Sequence, residues 1–510
     1  MFEKSARWFG FIAMCLGMFM AILDIQIVVT SLPAISAALN IPADQMSWVQ
    51  TAYLIAEVIA IPLTGFLTRC LSLRGLFLIA LSVFLLASLG CAYSDGFESL
   101  IIARTIQGFS GGCLIPLVFS AVFLLFPENE QALATTIAGG LAVLAPTIGP
   151  TVGGYITETF DWSWLFLVNI LPGVASLAVA AATAPREPPQ YGLLSRLDWT
   201  GVVFLAIGLT CLELGLKDGP SDGWASVPVL SLLTVSALAA AGFVARSLTA
   251  ASPIARLRLF RDRNFAIACG LSFLFGIGLF ASVYLMSVFL GLVRGHTPLD
   301  IGLTMLVTGA AQLATAPFAV QLERRIDPRI LSGLGFAGFA IGLGMSGFQT
   351  TATDFDEMFW PQIVRGISIM FCLLPPTRLA LGLLRSEDIP DGSALFNLMR
   401  NLGGAIGIAL VDTVLWQRAP HHAAALGERV LDRDPEAAEF VGVPLEMVPA
   451  DSAALSPEMM SFVRPMFEKA GLVMAVNEAW LLIAGLTALG LVLLPAGRAM
   501  KPDGTATTGH

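Results

Sequence analysis

Fourteen stretches of roughly twenty apolar residues, separated by short polar breaks, run the length of this chain. Each is about as long as a helix needs to be to cross the hydrocarbon core of a bilayer. They fall near residues 9–32, 46–68, 74–93, 98–126, 131–156 and 164–184, then 198–216 and 226–246, then 264–292, 299–322, 329–349, 358–384, 395–417 and 478–497. The pattern predicts an all-α polytopic membrane protein whose helices are grouped six, two and six. Composition agrees, with 56% hydrophobic and 13% charged residues, where a soluble domain carries about 25% charged. The first run follows Lys4 and Arg7, is too long for a signal-peptide core and ends at Leu32-Pro33 with no small-residue cleavage site. It is expected to be retained as the first membrane helix.

Lysine and arginine set the orientation, because basic loops stay on the cytoplasmic side. Arg69, Arg74, Arg256, Arg258, Arg261, Arg263, Arg324, Arg325 and Arg329 fall in alternate breaks, and only Lys217 and Arg294 fall in the short breaks between them. Both termini are therefore expected in the cytoplasm, in the inner (plasma) membrane. The segments read as residues 1–185 (six helices), 186–263 (two further helices with cytoplasmic connectors) and 264–510 (six helices). Within the last lies an external loop at about 418–477. That loop contains HHAAALGERVL and MMSFVRPMFEKAG, Ala-rich amphipathic stretches expected either as a solvated connector with partial helicity or as a docking surface for a periplasmic partner.

Several function classes lack their residues. No basic stripe suggests a nucleic-acid partner, and the net charge of -9 lies largely in one late segment. There is no GxxxxGK[ST] loop for direct ATP drive. The four histidines, His296, His421, His422 and His510, form no HExxH or paired metal spacing. The seven cysteines lie in or beside apolar runs, with no CxxC spacing. Neither an enzyme nor a metal or cofactor site is expected. With so short a tail, RAMKPDGTATTGH, after the last helix, no signalling domain is expected there.

Four segments carry a resemblance. LDIQIVVTSLP (Leu23 to Pro33) lies in the first helix, RTIQGFSGG (Arg104 to Gly112) in the fourth, GPTVGG (Gly149 to Gly154) in the fifth, and WSWLFLVNILPG (Trp162 to Gly173) opens the sixth. In order and spacing they resemble the major facilitator superfamily, and within it the fourteen-helix drug:proton antiporters of the EmrB/QacA type. The resemblance implies the major facilitator fold, two six-helix bundles around a midplane cavity plus two additional central helices. It implies proton-coupled export of small hydrophobic or amphiphilic compounds by alternating access, with the proton gradient as energy source. It also implies a periplasmic adaptor and an outer-membrane channel if the host has two membranes. The same motifs would serve a carrier dedicated to one metabolite, such as a siderophore, fatty acid or amino acid. One departure stands out: GFLTRCLSLRG keeps Gly65, Arg69 and Arg74 but has no acid where the broad superfamily carries Asp.

A charged group in hydrocarbon normally faces a cavity or pairs with another polar group, so such residues mark a pathway. Asp24 lies deep in the first helix on a face with Met20, Ile27, Val28 and Ser31. It is the leading candidate for proton exchange, its alternative being a permanently protonated or Arg-paired structural carboxyl. Glu57, one turn after Tyr53, reads as a second protonation site, a contact for a cationic substrate or a partner to an arginine. Arg104, Gln107, Gly108 and Gly111 form one stripe on the fourth helix, where Arg104 is expected to act electrostatically on a nearby carboxyl. Gly149, Pro150, Gly153 and Gly154 are expected to pack and gate. Asp412 is either a proton site or a solvated helix-end acid, in a helix opened by Asn397, Arg400 and Asn401. Arg365 follows Pro361 by one turn. The expected proton-coupling set is Asp24, Glu57, Arg104 and Asp412, and the expected cavity set is Asp24, Tyr53, Glu57, Gln107 and Arg365.

Overall fold

A computed structural model describes residues 2–42, 45–323, 325–445 and 457–498, and every regular element among them is helical. The first group comprises α1 (Phe2–Leu39), α2 (Trp48–Leu71), α3 (Leu73–Ala92), α4 (Phe97–Leu125), α5 (Glu128–Thr159) and α6 (Trp164–Thr183). The insert is α7 (Trp199–Asp222) and α8 (Val227–Thr249). The second group comprises α9 (Arg263–Val293), α10 (Pro298–Glu323), α11 (Pro328–Met345), α12 (Phe355–Leu381), α13 (Ile389–Leu431) and α14 (Pro457–Ala488). Thirteen of these pass as single apolar spans, and α5, bent beside Pro146, is the fourteenth. The six-two-six reading holds.

Polar breaks between the apolar runs cap the helices they separate. Asp198 accepts from Gly201 N–H at the start of α7, Asp262 from Phe265 N–H at α9, and Asp327 from Arg329 N–H at α11. Asp354 accepts from Phe355 N–H while Glu357 reaches back to the Asp354 N–H, closing a capping box at α12. Apolar side chains point outward as well as inward: Leu171, Val227, Leu238, Leu292, Trp360 and Val492 are among the most exposed residues. Surface of that kind suits lipid, not water.

α1 to α6 enclose one core and α9 to α14 another, while α7 and α8 pack on each other and α7 leans against α2 and α13. Each bundle is drawn together by glycines where two helices touch backbone to backbone. On α4, a Cβ at Gly108 would meet the carbonyl oxygen of Tyr53 on α2, and a Cβ at Gly112 would sit 2.5 Å from that of Glu57. On α13, Gly403 lies likewise against the carbonyl of Phe273 on α9. A Gly108→Val substitution forces α2 and α4 apart and is expected to lower stability by about 3 kcal/mol. Thermal unfolding in detergent checks this, with Gly427→Ala as the neutral control, since no atom lies within 4 Å of a Cβ there.

The structure differs from the sequence reading at 418–477. α13 is 43 residues long, about 65 Å at ~1.5 Å per residue, so it extends well past a bilayer core of about 30 Å. A short helix, Pro435–Val441, follows, and α14 starts at Pro457. The segment is therefore largely a helical extension of two spans, more helical than the partly helical connector read from the sequence, with much of its surface exposed. Leu426, Val430, Val441, Val463 and Phe467 bury one another in it, which gives the amphipathic faces read in the sequence their partner. Residues 446–456 of the segment lie outside the described residues.

Candidate functional site

Asp24 sits at the centre of a closed polar knot inside the first bundle. Arg104 Nη1 donates to Asp24 Oδ2 at 2.5 Å, and Oδ1 accepts from Gln107 Nε2 at 3.0 Å and from Asn169 Nδ2 at 2.7 Å. Arg104 is held in turn by the Val49 carbonyl (Nε, 3.1 Å) and Gln107 Oε1 (2.7 Å), with its guanidinium 4.4 Å from the centre of the Tyr53 ring. Tyr53 anchors to the Ala21 carbonyl at 3.0 Å, and Gln107 also donates to Ser88 Oγ at 2.9 Å. The side chains of Asp24 and Arg104 are both 0% exposed. Gly111 makes room for this knot, since a Cβ there would lie 2.5 Å from the Tyr53 hydroxyl. Asn169 was not singled out from the sequence; its signal is an amide at the break between the two helical pieces of α6, Trp164–Leu167 and Ile170–Thr183.

A separate cavity of about 290 Å³ lies between the bundles. Its apolar wall includes Ile22 and Ile25 of α1, Leu54 of α2, Val143 and Pro146 of α5, and Leu279 and Phe280 of α9. Set into it are Gln26, Gln50, Glu57, Glu213, Lys217, Arg400, Asn401 and Asp412. Asp412 accepts from the Tyr284 hydroxyl at 2.6 Å, midway along α13 and not at a helix end. Arg400 donates to Asn397 Oδ1 at 2.5 Å and lies 5.4 Å from the centre of the Phe119 ring. Glu57 and Asp412 thus share one cavity, whereas Asp24, Tyr53, Gln107 and Arg365 are not among the residues lining it. Arg365 is buried in the second bundle, 4.9 Å from the Trp480 ring and 3.4 Å from Met286 Sδ. Lys217, read from the sequence as lying in a short external break, falls instead within α7 and on the cavity wall. Glu213 was not singled out because it lies near the end of the apolar run at 198–216, where charges normally reach the bilayer surface.

One face of the molecule carries Arg69, Arg74, Arg256, Arg258 and Arg329, and there the bundles are clamped together. Arg69 at the end of α2 pairs with Asp391 at the start of α13, and Arg256 in the connector after α8 pairs with Asp388. Arg256 Nε also lies 3.6 Å from Asp391, and Arg258 lies 3.3 Å from Asp388. Ser393 Oγ donates to the Pro116 carbonyl of α4 at 2.7 Å. Gly65 permits the approach, since a Cβ there would lie 2.8 Å from the Asp391 backbone. The acid missing from the loop after α2 is therefore supplied from the other bundle. Burial alone would raise the Asp388 carboxyl, but the hydrogen bonds and charges of Arg256 and Arg258 hold it below the usual carboxylate range.

The Gly149 to Gly154 segment governs a second contact. A Cβ at Gly149 would run into Gln26 of α1, and one at Gly154 would lie 3.1 Å from Pro298 at the start of α10. Pro150 and Gly153 are buried between them, and the Gly153 carbonyl accepts from Thr157 at 2.8 Å. Across the interface, Gly302 of α10 packs against Thr151. This stretch lets α5 touch its own bundle and the opposite one.

Two helical bundles around a cavity, clamped together by ion pairs at one face, define a membrane carrier of the alternating-access class. The chain belongs to the Major Facilitator Superfamily, whose family profile matches residues 14–408. It is 39% identical, over 82% of each chain, to the Colistin resistance protein EmrB of Acinetobacter baumannii. It is 30% identical, over 94% of each chain, to the Multidrug export protein EmrB of Escherichia coli K12. The human organic anion transporter MFSD10 (TETRAN) shares the fold, with a TM-score of 0.61 over 96% of this chain and 99% of that one at 13% identity.

Proposed function

We propose that this protein exports small hydrophobic or amphiphilic molecules by alternating access, as a multidrug efflux carrier driven by proton exchange. The observation that carries the reading is the apolar cavity between the bundles, which holds carboxylates, in a molecule whose bundles are clamped at the arginine-rich face by the Arg69–Asp391 and Arg256–Asp388 pairs. The names of the EmrB relatives support the same direction. The arginine-rich face is cytoplasmic by the positive-inside argument, with both termini on that side of the inner membrane. A substrate leaves through the opposite face, to an adaptor and outer-membrane channel where the host has them.

In this scheme Glu57 and Asp412 meet proton or substrate directly, being on the cavity wall. Asp24 is held out of reach by Arg104, Gln107 and Asn169, and relative movement of α1, α4 and α6 opens it to proton exchange. Arg104 acts by approaching and leaving that carboxyl. The α5–α10 contact at Thr151 and Gly302 serves as the pivot of the rocking motion.

Inverted membrane vesicles energised by respiration test the reading with cationic, neutral and weakly acidic fluorescent amphiphiles. Accumulation that collapses with an uncoupler is expected, and Glu57→Gln is expected to lower the initial rate about tenfold or more at normal expression. Uncoupler-insensitive movement, or no movement of any probe, would sink the proposal. In the second case a carrier for a single metabolite takes its place.

A further inference from the structure

α7 belongs to the insert, yet it forms part of the cavity wall, packed against α2 and α13. It is fixed to both bundles. Lys217 Nζ lies 4.9 Å from the centre of the Trp48 ring at the start of α2, and Trp224, just beyond α7, donates its indole N–H to Thr413 Oγ1 of α13 at 3.0 Å. Between the core of α7 and these fixings the helix presents Glu213 to the cavity that Glu57 also lines.

The other charged groups on this wall have partners of their own, although Lys217 and Arg400 meet neutral groups and keep their charge. Asp412 takes the Tyr284 hydroxyl, Lys217 lies over Trp48, and Arg400 is held by Asn397 and Phe119. Among the described residues, neither Glu57 nor Glu213 has a hydrogen-bond or ion-pair partner. Two such carboxylates facing one apolar cavity repel each other, and either a proton or a lipophilic cation relieves that repulsion. The two ligands therefore compete for the same place.

We propose that Glu213 and Glu57 together form a recognition site for lipophilic organic cations, so that the insert supplies a specificity-determining residue of the substrate cavity. The proposal rests on the export reading but is tested by binding alone. The purified full chain in detergent is titrated with tetraphenylphosphonium and, separately, with the neutral amphiphile N-phenyl-1-naphthylamine. Glu213→Gln is expected to weaken tetraphenylphosphonium binding about tenfold and leave the neutral probe unchanged, with Glu213→Asp restoring part of the loss. Equal weakening of both probes would make Glu213 a packing residue and overturn the proposal. So would cation binding indifferent to Glu213, or no cation binding by the native chain. A chain that binds the cation through Glu213 yet exports nothing in vesicles sinks the export reading alone. Export with cation binding indifferent to Glu213 sinks only this one.

Discussion

Asp24→Asn is expected to lower the stability of the folded protein by about 3 kcal/mol and to abolish proton-coupled export. The carboxylate it removes is wholly buried and is the sole ion-pair partner of an equally buried Arg104 among the described residues. Removing one member of a buried pair leaves the other charge uncompensated, at a cost of about 3–5 kcal/mol. The asparagine retains an acceptor for Gln107 or Asn169 but no charge for Arg104. The double variant Asp24→Asn with Arg104→Gln removes both charges and is expected to recover most of the stability while remaining uncoupled. Denaturant unfolding in detergent reads the first effect and vesicle transport the second. A single variant as stable as the native chain and still uncoupler-sensitive would make Asp24 dispensable.

Asp391→Asn is expected to release the clamp. The Asp391 side chain is fully buried and faces Arg69 and Arg256 together, one from α2 and one from the connector after α8. Without its charge those two arginines face each other with Asp388 as their remaining acid, and the conformation open at the arginine-rich face gains population. Cys70, buried beside Arg69, reports this natively. Its labelling by a membrane-impermeant maleimide, followed by peptide mass spectrometry in detergent, should accelerate about tenfold or more. Unchanged labelling would show that the clamp does not hold that face shut. The pH dependence follows from Asp388, whose carboxyl is held below its ordinary range. Its contribution is fully present above the ordinary carboxylate range and is lost only as pH falls through the depressed folded value. The native clamp should therefore stay closed between about pH 6 and 8.

How much of this was legible follows from the physics of each feature. Spans are legible because the bilayer imposes length and apolarity on every one of them. Asp24, Arg104 and Gln107 stood out because charged and amide groups deep in apolar runs are costly. That they close into a single knot with Asn169 did not, since Asn169 is 145 residues from Asp24 in sequence and only the packing of α1 on α6 brings them together. Glu213 and Asp391 were passed over for the opposite reason: each lies near an expected helix end, where charge is ordinary. The structure turns Glu213 towards the cavity and buries Asp391 against the other bundle. The helix ends around the segment 418–477 fall elsewhere than the sequence reading put them, because hydropathy finds where a span stops being apolar, not where the helix stops. Ala-rich sequence continues α13 beyond that point.

The central claim is an exchange of protons for substrate through one cavity, and exchange is reciprocal. The most direct test reconstitutes the chain into liposomes with a pH indicator in the lumen and no imposed gradient, then adds an amphiphile found to be exported in vesicles. Substrate entering should drive protons out, raising luminal pH in the native protein and not in Asp24→Asn. Substrate uptake with no accompanying proton movement in the native protein would contradict the account.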